Sequence, residues 1–226
     1  MIWYLLTFVL AFASITYELL LGQMLSAFLG NTVLRYSVTI GLYLLSMGIG
    51  ALYVKNRSKN GALVTLQWIE LLLAGLGGFS LIILFLVDGI HLPSIVLSFI
   101  AHLLIIIIGV LSGAEIPLLI ELKSIETKDS EGKVLGVDYL GAFLGTIAFA
   151  FYFYPVIGLT ATAFSVALAN ALMGLLLATK QSLVPSHLRT RFTWLSIGQL
   201  VMAIGLTYCL IHASQLEQSL IDFYIS

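Results

Sequence analysis

Seven stretches of about twenty apolar residues run through this chain, near 3–25, 34–54, 63–87, 94–121, 135–156, 160–179 and 193–213, and each matches the thickness of a bilayer's hydrocarbon layer. Backbone polar groups in lipid must be satisfied within their own segment, so runs of this kind predict helices. Composition agrees: 60% hydrophobic and 9% charged residues over 226 positions, with a mean hydropathy of +1.09, lie far from the balance of a soluble domain. The expected fold is all-α, a polytopic membrane helical bundle of about seven transmembrane helices. It is expected to form a single integral membrane domain over residues 1–226, with no soluble catalytic domain. The segment 214–226, with Glu217 and Asp222, is too short for an eighth span. The apolar start resembles a signal peptide where it reaches Ala11-Phe12-Ala13-Ser14, but it lacks a positive leader and continues beyond that point, so it reads as the first span.

Charge sets the orientation. Lys55, Arg57, Lys59, Lys123, Lys128, Lys133, Lys180, Arg189 and Arg191 all fall in the loops after even-numbered spans, and only Arg35 lies near the opposite surface. Positive residues collect on the cytoplasmic side, so the N-terminus is expected in the cytoplasm and the C-terminus outside. Aromatic residues fit this placement: Phe151, Tyr152, Phe153 and Tyr154 close the fifth span at the outer interface, and Phe192 and Trp194 open the seventh at the inner one. A net charge of -1 without a basic patch excludes nucleic acid as a partner. The single cysteine, Cys209, excludes an intrachain disulfide and a cysteine metal cluster, and no metal or cofactor is expected.

Four carboxylates, Glu18, Glu70, Glu115 and Asp138, sit within these apolar stretches with no Lys or Arg among them. An unpaired acid in hydrocarbon is costly and faces a protein interior or a wet cavity. Residues three, four and seven apart share a helix face. Glu18 stacks with Ala11, Ser14 and Gly22; Asp138 shares a face with Gly141 and Gly145; Glu70 shares one with Gln67, Ala74 and Gly77, so all three are expected to be buried against protein and not lipid. The spacing of Gly141 and Gly145 favours close helix contact, as does that of Gly109 and Gly113.

Glu115 precedes Pro117, which is expected to kink or loosen its helix and free carbonyls beside the carboxylate. Glu115 therefore reads as a cation site or, more plainly, as a protonated acid capping loosened backbone groups. For Glu18 and Asp138 the choice lies between ligand binding and a protonated acid bonded to a neighbouring Tyr or Ser. Glu70 lies within about two turns of the cytoplasmic end of its span, where a side chain reaches the interface and a structural role is expected. Glu70, His102 and Tyr139 are the candidates for a proton relay, with a packing role the plainer reading of His102. No nucleophile elbow, zinc-protease motif, phosphate loop or nucleotide fingerprint is present.

The acid-bearing motifs resemble a known family. Tyr17-Glu18-Leu19-Leu20-Leu21-Gly22, Leu29-Gly30-Asn31, Thr39-Ile40-Gly41 to Met47-Gly48-Ile49-Gly50-Ala51, Gly113-Ala114-Glu115-Ile116-Pro117 and Val137-Asp138-Tyr139-Leu140-Gly141-Ala142-Phe143-Leu144-Gly145, with Pro155-Val156-Ile157-Gly158-Leu159, resemble the membrane domain of spermidine-synthase-like proteins, relatives of the polyamine aminopropyltransferases. The resemblance covers most of residues 11–178. It implies the membrane fold, a bacterial inner (cytoplasmic) membrane location and Glu18, Glu115 and Asp138 as ligand-binding positions. In that family a Rossmann-like domain transfers an aminopropyl group from decarboxylated S-adenosylmethionine to putrescine. Neither its glycine-rich nucleotide loop nor its acidic polyamine motif occurs here, so enzyme activity is left open and a separate aminopropyltransferase polypeptide is an expected partner besides the lipid bilayer.

Several carboxylates without fixed cations suit a polyamine or another cationic amine. With Glu18 toward the outer half and Glu115 and Asp138 toward the inner half, their axial gap is roughly 10 to 20 Å, the scale of an extended polyamine. The alternatives are a proton- or cation-coupled small-molecule transporter and a non-catalytic membrane scaffold subunit.

Overall fold

The computed structural model describes residues 1–55, 61–90, 93–127 and 131–225. Of the cations used for orientation, Arg57, Lys59 and Lys128 lie outside these residues. Helices make up nearly all of the described chain, with no strand among the described residues: α1 (Ile2–Leu29), α2 (Thr32–Lys55), α3 (Ala62–Gly89), α4 (Ser94–Ser124), α5 (Glu131–Ala148), α6 (Gly158–Ala178), α7 (Arg189–Ile211) and α8 (Ala213–Ile225). Six helical stretches are long and apolar enough to cross a membrane, counting Glu131–Ala178 as one.

That long stretch is broken. Residues Phe149–Ile157 form a π-helix in which Pro155 withholds a backbone N–H, and Gly158 ends it with φ 80. Residues with a side chain adopt this left-handed conformation rarely, so the glycine allows the chain to separate α5 from α6. The fifth and sixth spans expected from the sequence correspond to the two sides of this break. At Pro117, by contrast, the chain stays α-helical on both sides, so the proline at which a kink or loosening was expected does not divide α4. Pro117 has no N–H to give to the Gly113 carbonyl, and Gly113 itself packs on the Met47 carbonyl of α2.

α1 is the central helix, packed against α2, α4, α5 and α6. Trp3, Leu6, Leu10, Tyr17, Leu20 and Leu21 on it are fully enclosed. Glycines set the approach of its neighbours. Gly141 and Gly145 of α5 rest on the Phe8 and Phe12 carbonyls of α1, and Gly113 of α4 rests on the Met47 carbonyl of α2. Any Cβ at these positions would collide with backbone, which is the close contact that the glycine spacing predicts.

On the other side, α3 packs against α4, α6 and α7. Gln199 of α7 donates to the Gln67 carbonyl at 3.1 Å, and the Gln67 side chain donates to Ser196 Oγ at 2.7 Å, so α7 is tied to α3 by polar groups inside the bundle. Between α1 and α2 the chain reverses over Gly30 (φ 66) and Asn31 (φ 52), and Asn31 Oδ1 accepts the Leu34 N–H at 3.3 Å.

One end of the bundle gathers the charged loops. The Trp3 indole donates to Glu126 Oε1 at 2.8 Å; Lys123 and Lys180 reach Glu126 at 3.1 and 3.8 Å. The indole and the Lys123 ammonium hold the Glu126 carboxyl below its ordinary range. The start of α1 and the α4–α5 and α6–α7 connections thus share an end. The start of α3 joins them, since Gly61–Val64 meet Glu121 and Leu183–Pro185 around one surface pocket.

Candidate functional site

α1, α2, α4 and α5 enclose a cleft of about 180 Å3. Ala11, Ser14, Ile15 and Glu18 supply one wall from successive turns of α1; Leu44 and Met47 come from α2, Ser112, Glu115 and Ile116 from α4, and Asp138, Tyr139 and Ala142 from α5. Glu18, Glu115 and Asp138 thus converge on one cleft, and its lining contains no Lys, Arg or His. Glu18 is 6% exposed and Glu115 3% exposed, whereas Asp138 is half-buried and Tyr139, at the mouth, is 70% exposed.

Helix register explains the convergence. Gly141 sits at Phe8 and Ala11, and Gly145 at Phe12 and Ile15, so α5 runs parallel to α1 and places Asp138 about eleven residues below Glu18, or about 17 Å along the axis. Gly109 against Tyr43 and Gly113 against Met47 make α4 parallel to α2. Tyr43 in turn meets Ser14, while Tyr36 meets Gly22, so α2 is antiparallel to α1. These registers put Glu115 near the level of Asp138, and the two are within electrostatic range of each other. The cleft is therefore elongated along the bundle, with one acid toward one end and two toward the other.

Tyr43 joins the ends. Its side chain is fully buried, and the hydroxyl gives its one proton to the Ser14 carbonyl at 3.1 Å while lying 3.1 Å from Ser14 Oγ and 3.0 Å from Ser112 Oγ, hydroxyls that can donate to it. It is in electrostatic range of both Glu18 and Glu115. The sequence reading did not single out Tyr43 or Ser112. The available signal was a tyrosine in the middle of an apolar span, away from the interface where such rings prefer to sit.

Glu70 meets one of its two expectations. The face it shares with Gln67, Ala74 and Gly77 is turned toward protein, as its small and polar residues indicate, and the carboxyl is fully buried beside Glu115 instead of reaching the interface. Neither Glu70 oxygen meets a donor from the described residues. The cause is rotational: Gln67 and Glu70 occupy the face of α3 that turns into the bundle, so the long side chain is directed inward.

His102 is separated from this group. It is half-buried, and Nδ1 contacts the Ser98 carbonyl at 2.5 Å and Ser98 Oγ at 3.3 Å, both one turn earlier in α4. Thirteen residues, about 20 Å of helix, lie between it and Glu115. The relay candidates are therefore divided: Glu70 lies against Glu115, Tyr139 at the mouth of the cleft, and His102 away from both. Among the described residues, no group of three or more His, Cys, Asp and Glu side chains could hold a metal ion.

Comparison with known proteins relates the chain to one class of enzyme. It is 39% identical over 170 residues to a polyamine aminopropyltransferase of Leptospira interrogans, covering 74% of this chain and 33% of that protein. Against the polyamine aminopropyltransferase of Oceanobacillus iheyensis the identity is 34% over 171 residues, with the same two coverages of 74% and 33%. Polyamine aminopropyltransferase 2 of Streptomyces coelicolor is 31% identical over 215 residues, 88% of this chain and 37% of that protein. No family model and no solved structure matches the chain. The chain spans about a third of the length of the curated relatives it matches. Over most of its helical bundle the chain is thus similar to part of the polyamine aminopropyltransferases.

Proposed function

We propose that this chain is an integral membrane module that binds a polyamine or related linear amine in the cleft between α1, α2, α4 and α5, and that it works with or anchors an aminopropyltransferase. One observation carries the reading: three carboxylates, Glu18, Glu115 and Asp138, line an elongated and otherwise largely apolar cleft whose lining has no basic side chain. In such surroundings a fixed carboxylate strongly favours a cationic partner, and a ligand with ammonium groups at both ends answers acids placed at both ends. The names of the relatives support polyamine as the amine class.

A bacterial cytoplasmic membrane is the proposed location, with the N-terminus inside. The gathering of the Trp3 end of α1 with the Lys123 and Lys180 loops at one end supports this orientation, because those loops carry the excess of positive charge.

The test is thermal stabilisation of the detergent-purified protein by putrescine and spermidine, with sodium and arginine as controls. Saturable stabilisation by the linear amines, lost in Glu115→Gln, is the expected result. No shift for any amine would remove the amine reading in favour of a scaffold. Amine flux by the reconstituted protein alone, driven by a proton gradient, would make the module a transporter.

A further inference from the structure

Glu70 lies outside the lining of the cleft, directly behind Glu115, and is fully buried. Both Glu70 oxygens are buried without a donor among the described residues, and two ionised carboxylates offer none to each other, so the pair is satisfied only when one of the two acids carries a proton. Glu70 faces Glu115 of α4 and Tyr17 of α1; Glu115 additionally faces Asp138 of α5 and Tyr43 of α2. No Lys, Arg or His is among these groups. The Tyr17 hydroxyl is committed to the Leu73 carbonyl at 3.2 Å, and the Tyr43 hydroxyl to Ser14 and Ser112.

We infer that Glu70 and Glu115 form a proton-binding carboxyl pair that holds one proton in the amine-free protein and releases it when a cationic amine binds beside Glu115. In the exchange one carboxylic O–H bond breaks, the proton leaves to solvent through the cleft, and the ammonium group, which stays protonated, replaces it as the positive partner of the pair. At the pair itself one proton leaves as one ammonium group of the amine arrives, so the pair keeps its net charge and avoids the cost of an uncompensated acid, while the amine's other ammonium groups fall to Glu18 and Asp138. Glu70 has a specific part in this: it is the acid that the ligand does not touch, and it allows Glu115 to give up a proton without first standing alone as a charge. The exchange rests on the amine reading of the cleft. The shared proton does not.

Calorimetry of spermidine binding to the detergent-purified protein, in two buffers of unlike ionisation enthalpy at one pH, counts the protons released. Release of roughly one proton per amine is expected for the wild type and none for Glu70→Gln, whose amide N–H replaces the shared proton while leaving Glu115 charged for binding. Equal release by both proteins would overturn the exchange. Infrared spectra of the same preparations test the pair without a ligand. One protonated-carboxyl band should be lost in Glu70→Gln and also in Glu115→Gln; its persistence at full strength in both would overturn the pair. If no amine binds the wild type, the amine reading falls, and with it the exchange, while the infrared band still decides whether the two acids share a proton.

Discussion

The Tyr43 hydroxyl lies 3.0 Å from Ser112 Oγ, in hydrogen-bonding contact, and so ties α2 to α4 beside the cleft. The same hydroxyl bonds the Ser14 carbonyl on α1, which makes one tyrosine the polar junction of three helices. Tyr43→Phe should keep the ring's packing but leave these partners without the hydroxyl. A loss of about 1–2 kcal/mol is expected, the range of a hydrogen bond between helices in an apolar medium. Thermal unfolding of the variant in detergent measures it. A transition temperature equal to that of the wild type would mean that the junction contributes nothing to stability.

Close packing at glycine separates two kinds of substitution. Gly113→Val would drive a side chain into the Met47 backbone carbonyl, whereas Gly136, in the exposed first half of α5, has no atom within 4 Å of where a Cβ would stand. The first change should cost about 1–3 kcal/mol or prevent folding. Gly136→Ala should be neutral or stabilising by up to about 1 kcal/mol, because helical glycine carries an entropic cost. Protease resistance and thermal unfolding of the two variants give the comparison.

Glu126 supplies a pH dependence at the end of the bundle where Trp3, Lys123 and Lys180 meet. Its carboxyl is held below the ordinary value by the Trp3 indole first and Lys123 second, so the folded protein favours the charged form. The resulting stabilisation is complete above the unfolded-state value, about 4.3, and is lost as pH falls through the lowered folded-state value. Wild type and Glu126→Gln should therefore differ in transition temperature near neutrality and converge below about pH 4. A constant difference from pH 7 to pH 3 would count against this linkage.

His102 should be dispensable to the cleft. Its ring is bonded to Ser98 within the same helix, well away from Glu115. His102→Asn is expected to leave the amine-induced thermal shift unchanged, with a stability change within about 1 kcal/mol. A lost or pH-altered shift would return His102 to the relay.

Much of the helical framework is legible locally. The helices α1 to α4 begin and end within a few residues of the apolar runs, because each run satisfies its own backbone and needs no partner to declare its extent. The packing of α5 on α1 is legible for a similar reason: Gly141 and Gly145, one turn apart, mark a face that another helix can approach closely. The break between α5 and α6 is less so. Pro155 and Gly158 are plain in the sequence, but the π-helical stretch before Gly158 depends on how the freed backbone groups are taken up.

Glu70 and Tyr43 show where local reading stops. The small and polar face of Glu70 marked it as turned toward protein, but that it meets Glu115 depends on the rotation of α3 about its own axis against α4. In a chain apolar on nearly every helix face, hydrophobic periodicity does not reveal that rotation, because a lipid-facing and a core-facing leucine look alike.

What the sequence by itself determined is the set of helices, the small-residue faces that let them approach and the presence of acids that must be sheltered. Only the tertiary structure decided that Glu18, Glu115 and Asp138 line one cleft, that Glu70 stands behind Glu115, and that Tyr43 links Ser14 to Ser112. The physical reason is that helix formation is satisfied within one segment, whereas the meeting of polar groups from α1, α2, α3, α4 and α5 depends on the relative register and rotation of separate helices. Backbone contacts at Gly113, Gly141 and Gly145 set these between residues 66 to 133 positions apart in the chain.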